Sequence, residues 1–250
     1  MPNRSFKIAR LVAISFTLMV LSVLGTAAAI PGPQRALAPG LFGLTQIDQS
    51  TFIDATTKAD EAKSLIIKAN STLKAFFGEL KSSPKIVICT QESCFDRFGG
   101  GPRGITYGYD LIKIGPKGFN EMIITHELFH GELHKRMGRF GMVKPKFPAW
   151  FNEGLATIIS NDNRYRTKFT PDELAWIRNA NNYWGDWGNR ISERGWRDTY
   201  GAAKAAVLAL QNEIGQKGLL QLIDLVTIDD LEFEAAITKV RTQTLSTSQS

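Results

Sequence analysis

The sequence predicts an α+β fold, with a small N-terminal mixed sheet followed by a mainly helical half and the chemistry-bearing helix between them. Three observations carry this expectation. Short β-branched runs are confined to the part of the chain before Asn120, and every patterned segment after it has helical spacing. The 250 residues are 43% apolar and 22% charged, which suits one sizeable domain and excludes collagen-like, disordered and multi-span membrane classes.

Arg4, Lys7 and Arg10 precede an uncharged apolar stretch from Leu11 to Leu24, closed by Gly25 and Ala27-Ala28-Ala29. Residues 1–29 therefore read as a secretory signal peptide. Extended to Ile30, the same run is long enough to serve as an uncleaved membrane anchor. Either reading exports the body, which is expected to be periplasmic, extracellular or anchored facing away from the cytoplasm. Residues 30–50, with Pro31, Pro33 and Pro39, read as an extended linker.

The domain is expected over residues 51–241. Ala59 to Leu80 places Leu65, Ile66, Leu73, Phe76 and Phe77 at helical spacing, and Lys85 to Thr90 is a short β-branched strand. Ile105–Tyr107 and Leu111–Ile114 flank Gly108 as a hairpin or two short strands. The preceding Gly99-Gly100-Gly101-Pro102 lacks the Gly-Lys-Ser/Thr ending of a phosphate loop, so it is loop rather than nucleotide site. Helices follow at about Glu121–Met137, Ala149–Ser160, Pro171–Asn179 and Tyr200–Ile214, with two shorter pieces to Val240. Thr170, Pro171 and Glu173 supply the third with a capping box and a first-turn proline. Residues 242–250 are rich in Ser, Thr and Gln and are expected to form a flexible tail.

The formal charge is +6, of which residues 4, 7 and 10 supply half, leaving 27 basic against 24 acidic residues in the rest. That balance, without a clustered basic run, argues against a nucleic-acid partner. Cys89 and Cys94 are the two cysteines. An exported setting permits a disulfide between them, with two free buried thiols as the alternative.

All three histidines lie between residues 126 and 134, and residues 126–130 read His-Glu-Leu-Phe-His, an HExxH pattern. On an α-helix residues i and i+4 share one face about 6 Å apart along the axis, so two imidazoles converge on one cation. Imidazole donors without nearby thiolates suit zinc, which requires a third protein ligand and one open position. His134 lies about 12 Å along the axis from His126, too far to share the ion. Leu133 and Arg136 stand where a metzincin pattern needs Gly and His. Glu153, one turn into a helix that Pro148 can start, is the better third ligand.

HExxH followed by Trp150-Phe151-Asn152-Glu153-Gly154-Leu155-Ala156 resembles the gluzincin zinc metallopeptidases, in particular peptidase MA-like domains related to the aminopeptidase N catalytic core. The resemblance spans residues 84–240. It implies a zincin-like fold, one Zn2+ per chain held by His126, His130 and Glu153, and a peptide or protein substrate. Tyr200, in a helix loosely similar to the one that follows in such domains, is a candidate side-chain donor, with packing at the start of a core helix as its alternative. Two departures stand out. No Gly-x-Met-Glu-like substrate segment precedes the first helix, so aminopeptidase specificity is not implied, and Thr157 occupies the position where thermolysin-like relatives carry an Asp.

The roles follow from chemistry. Glu127, beside the first ligand, is placed to take a proton from water and deliver it to a leaving amine. Two neutral imidazoles and one carboxylate leave a divalent site at net +1, which favours an oxyanion. The strands before Asn120 offer an edge for an extended peptide. Tyr183, Trp184, Trp187 and Trp196 suggest either an apolar or sugar-stacking subsite or aromatic packing under a loop. The expected function is an exported zinc metallopeptidase; the alternative is a catalytically idle binding or assembly factor on the same scaffold at a membrane.

Overall fold

The structure is a computed structural model that describes residues 32–139, 141, 144–166 and 168–247. The predicted signal or anchor segment lies outside the described residues, among which no helix is long and apolar enough to cross a membrane. The α+β architecture holds: a mixed sheet occupies the N-terminal part and helices make up the remainder.

Among the described residues the sheet has five strands: β1 (Thr45–Gln46), β2 (Thr51–Ile53), β3 (Lys85–Ile88), β4 (Gly104–Tyr107) and β5 (Leu111–Ile114). Their order is β1-β2-β3-β5-β4. The three central strands run parallel, with Phe52 opposite Val87 and Ile86 opposite Ile112, while β1 and β4 are antiparallel edges. The predicted hairpin is the β4–β5 pair. Because side chains alternate across a strand, Ile86, Ile88, Ile112 and Ile114 enter the main core, whereas Val87 and Leu111 face the opposite side. Both faces are covered, as a parallel sheet requires.

On the main-core face lie α1 (Ala59–Phe77) and α3 (Glu121–Met137). The first buries Ala62, Ile66, Ala69, Leu73 and Phe76, a stripe at helical spacing. The opposite face is covered by α2 (Glu92–Arg97) together with helical turns at Gly32–Arg35 and Pro39–Phe42. Residues 32–46, expected as linker, thus lie against the body: Ala36 and Leu44 are buried, and Lys85 Nζ donates to the Leu37 carbonyl. Local proline content suggested an extended arm, but contacts with a distant strand hold this segment down.

The helical half comprises α4 (Ala149–Ile159), α5 (Pro171–Arg178), α6 (Gly188–Thr227) and α7 (Phe233–Thr247). The capping box is formed at Thr170, whose hydroxyl accepts from Glu173 N while Glu173 Oε2 accepts from Thr170 N at 2.7 Å. The long α6 is broken at Gly195 and Gly215, both at positive φ, and it begins well before Tyr200. α7 continues through Thr247, so residues 242–247 of the expected tail are helical. Their hydroxyls turn back on the helix, Thr242 on the Thr238 carbonyl and Thr244 on that of Val240.

The cysteine pair is a disulfide with Cα atoms 5.5 Å apart, joining the end of β3 to α2. A structural disulfide points to an oxidising, non-cytosolic setting. Beside it, burial of Asp54 opposes its ionisation, but the Thr57 hydroxyl, the Gln91 amide and the Thr56 and Thr90 hydroxyls donate to its carboxylate and hold its pKa below the usual value.

Candidate metal centre

The site helix α3 starts at Asn120, whose side chain accepts from Ile123 N, and it is buried almost continuously from Ile123 to Leu133. Burial on this scale follows from its place between the sheet and α4. It turns His126 and His130 away from water and toward α4, where Glu153 sits among residues buried from Ala149 to Thr157. The close approach of α4 to α6 depends on Gly154: a Cβ there would lie 2.4 Å from the Ala203 carbonyl oxygen.

The three predicted ligands meet. His126 Nε2 lies 3.0 Å from His130 Nε2 and 3.3 Å from Glu153 Oε2, and His130 Nε2 lies 3.5 Å from the same oxygen. Donors about 2.0–2.1 Å from a tetrahedral ion stand roughly 3.3 Å from one another, so this buried group has the edge lengths to hold a divalent metal ion. Asn152 Oδ1 accepts from His130 Nδ1 at 2.9 Å, which leaves Nε2 as the donor atom. Burial alone would discharge His130, but the Glu153 carboxylate beside it outweighs burial and raises its pKa to about 9. The same imidazoles hold Glu153 far below its ordinary value despite its own burial.

Glu127 is buried with them, and its carboxylate rests on the edge strand. The Thr106 hydroxyl lies 2.7 Å from Glu127 Oε2 and 2.9 Å from the Glu127 carbonyl oxygen. Gly104 leaves room for the same side chain, since a Cβ there would meet Glu127 Cγ at 2.6 Å. Tyr200 also joins the group, its ring centroid 6.2 Å from that of His126, stacked on Tyr165 and edge-on to Trp187. Burial, reinforced by the negative charge of Glu153, pushes the Tyr200 pKa well above its usual value, so the phenol stays a donor.

His134 stands apart, with Nδ1 3.0 Å from the Gly108 carbonyl oxygen, and is not part of the group. Thr157 is buried and bonds the Glu153 carbonyl, so His130 is oriented by Asn152 rather than from that position. Of the four aromatic residues noted in sequence, Trp187 packs on Tyr200 and Trp196 lines the cleft; the side chains of Tyr183 and Trp184 lie outside those described. A cleft of about 310 Å³ opens onto His126, Glu127 and Tyr200 and is bounded by Pro102–Gly104 on one side and by Arg164, Tyr165 and Trp196 on the other.

Sequence reasoning missed Asn152, Thr106, Gly104 and Arg164. Only Asn152 carried a local signal, its position next to a suspected ligand. A second close group, Asp54 with Cys89 and Cys94, is no metal site because the sulfurs are bonded to each other. Comparison with known proteins does not extend this description: no family model matches the chain and no curated protein matches it.

Proposed function

We propose that the protein is an exported zinc-dependent peptidase with a zincin-like fold of the gluzincin type, hydrolysing peptide bonds in its cleft. The observation that carries this reading is the convergence of His126, His130 and Glu153 from two helices at tetrahedral-edge distances, with Glu127 beside them at the cleft. A two-nitrogen, one-oxygen donor set with no thiolate favours zinc over calcium or an iron–sulfur cluster. When bound, the ion supplies Lewis-acid chemistry, acidifying water and polarising a carbonyl.

The chain's own residues supply the remainder. β4 is an edge strand whose first residue lines the cleft, so an extended peptide can pair along it. Thr106 fixes one oxygen of Glu127, leaving Oε1 to accept the proton of the attacking water and to pass it to the departing nitrogen. Asn152 holds the His130 ring in the tautomer that presents Nε2 inward. The protonated Tyr200 phenol donates toward the oxygen on which charge develops.

Metal analysis of purified protein combined with a peptide-library cleavage assay tests the reading. One zinc per chain and measurable cleavage are expected, with Glu127→Gln keeping the metal and losing cleavage. Stoichiometric metal surviving His126→Ala with His130→Ala would overturn the site assignment. A Glu127→Gln protein cleaving as fast as its parent would overturn the mechanism, and absence of cleavage across the library would favour the idle-scaffold alternative.

A further inference from the structure

We infer that the cleft selects substrates bearing a carboxylate beside the scissile bond, read by Arg164; this deepens and rests on the peptidase reading above. Among the described residues, apart from His126, Glu127 and Tyr200 of the site itself, the charged residues lining the cleft are Arg103 and Arg164. Its other walls are apolar or aromatic: Pro102, Ile123, Tyr165, Ile191 and Trp196.

Arg164 is held in a fixed orientation. Its Nε donates to Asp162 Oδ1 at 2.8 Å and its Nη2 to Asp162 Oδ2 at 2.5 Å, and Asp162 is 1% exposed. Guanidinium has five donors, so this pairing along one edge leaves the other nitrogen uncommitted. Nη1 is buried and has no hydrogen-bond partner. A buried charged donor without a partner is unfavourable, and a carboxylate supplies the acceptor that the chain does not. The guanidinium carbon lies 5.6 Å and 5.9 Å from the ring centroids of Tyr165 and Trp196. Nη1 is closed to solvent in the structure, so a carboxylate reaches it by a shift of the aromatic wall around it. In that wall Trp196 is 36% exposed and follows Gly195, where positive φ breaks the helix.

Two sources carry this chemistry, an acidic side chain and a free C-terminal carboxylate. Matched fluorogenic peptides with Glu, Gln or Lys at each position near the scissile bond and amidated ends, plus the Gln peptide with a free C terminus, separate them. Cleavage of each is measured with the zinc-loaded parent, Arg164→Gln, Arg164→Lys and Arg103→Gln. Binding of the same peptides to Glu127→Gln is followed by anisotropy and Trp fluorescence, and repeated in that background with Arg164→Gln or Arg164→Lys.

The parent is expected to prefer a carboxylate peptide over its amide by about tenfold or more in kcat/KM, the scale of one charge-assisted hydrogen bond. The preference should collapse to within about twofold in Arg164→Gln, a change of ratio that a merely structural role for Arg164 would not produce. Arg164→Lys, which keeps charge but loses the fork, should fall between and serves if the Gln variant does not fold. Cleavage without a carboxylate preference, or a preference that survives loss of Arg164, overturns this inference and leaves the peptidase reading standing. No cleavage, but Arg164-dependent binding of carboxylate peptides to Glu127→Gln, does the reverse. Neither cleavage nor selective binding overturns both.

Discussion

Gly104→Ala places one methyl group where the base of the proposed reaction rests. The new Cβ would stand 2.6 Å from Glu127 Cγ, 2.8 Å from Oε1 and 2.9 Å from Cδ. Carbon atoms in contact normally lie about 3.5–4.0 Å apart, so roughly 1 Å has to be found. Gly104 is not at positive φ, so alanine brings no backbone strain of its own. The backbone is paired to β5 opposite Ile114, which makes the Glu127 carboxylate the group that gives way. A displacement of about 1 Å in a reacting group costs on the order of a hundredfold in rate, about 2.7 kcal/mol of barrier. The three atoms nearest the new methyl all belong to Glu127 rather than to His126, His130 or Glu153, so metal content should remain at the parental level. The assay is kcat at saturating peptide, with metal content by mass spectrometry and Tm from the same preparation. Gly188→Ala, where the added Cβ meets nothing within 4 Å, is the control and should leave kcat unchanged. A Gly104→Ala protein turning over within twofold of its parent would refute the placement of Glu127 as base.

Asn152→Leu removes the acceptor that orients His130 and should weaken zinc binding by about 10–100-fold in a competition titration, whereas His134→Ala should keep most of the metal. Asp54→Asn should lower the urea midpoint at neutral pH. Because the native carboxyl pKa is lowered, the parent's advantage should be fully present above the ordinary carboxylate range and disappear as pH falls through the native value. Thiol counting of protein recovered from an exported setting should find no free thiol. Breaking the Cys89–Cys94 bond, which spans five positions, should cost about 2 kcal/mol in chain entropy, read as a modest fall in Tm.

The legible parts of this protein were those whose physics is local. HExxH declares itself because i and i+4 share a helix face, and the Thr170 capping box is complete within four residues. Glu153 was within reach because Pro148 sets where α4 begins. What sequence did not reveal depends on partners far along the chain. β2 is three residues long and exists as a strand because β3 lies beside it. Lys113, in an alternating Leu-Ile-Lys-Ile run, would be read as facing water, yet it is buried with Nζ donating to the carbonyls of Phe98 and Gly100. The start of α6 is polar with glycines at 188 and 195, and its flank is packed by contacts distant in sequence, such as Trp187 edge-on to Tyr200. Thr106 and Arg164 reach the site only through the β4 edge and the turn after α4, and neither has a motif of its own.

The crossing at Gly154 acts as a caliper on the adjacent Glu153. With the Ala203 carbonyl filling the space a side chain would need, α4 has no slack toward α6, so Glu153 has no room to retreat from the imidazoles of α3 in that direction. An ion with longer bonds would have to push α4 into a close-packed seam that also holds Val207. At the proposed metal centre, selection among cations would thus be partly a matter of ionic radius, enforced by backbone contact. Enlarging Gly154 or Ala203 should press α4 toward α3 without changing a single donor atom, shifting metal preference toward smaller ions or, where the helices tilt, toward loss of binding.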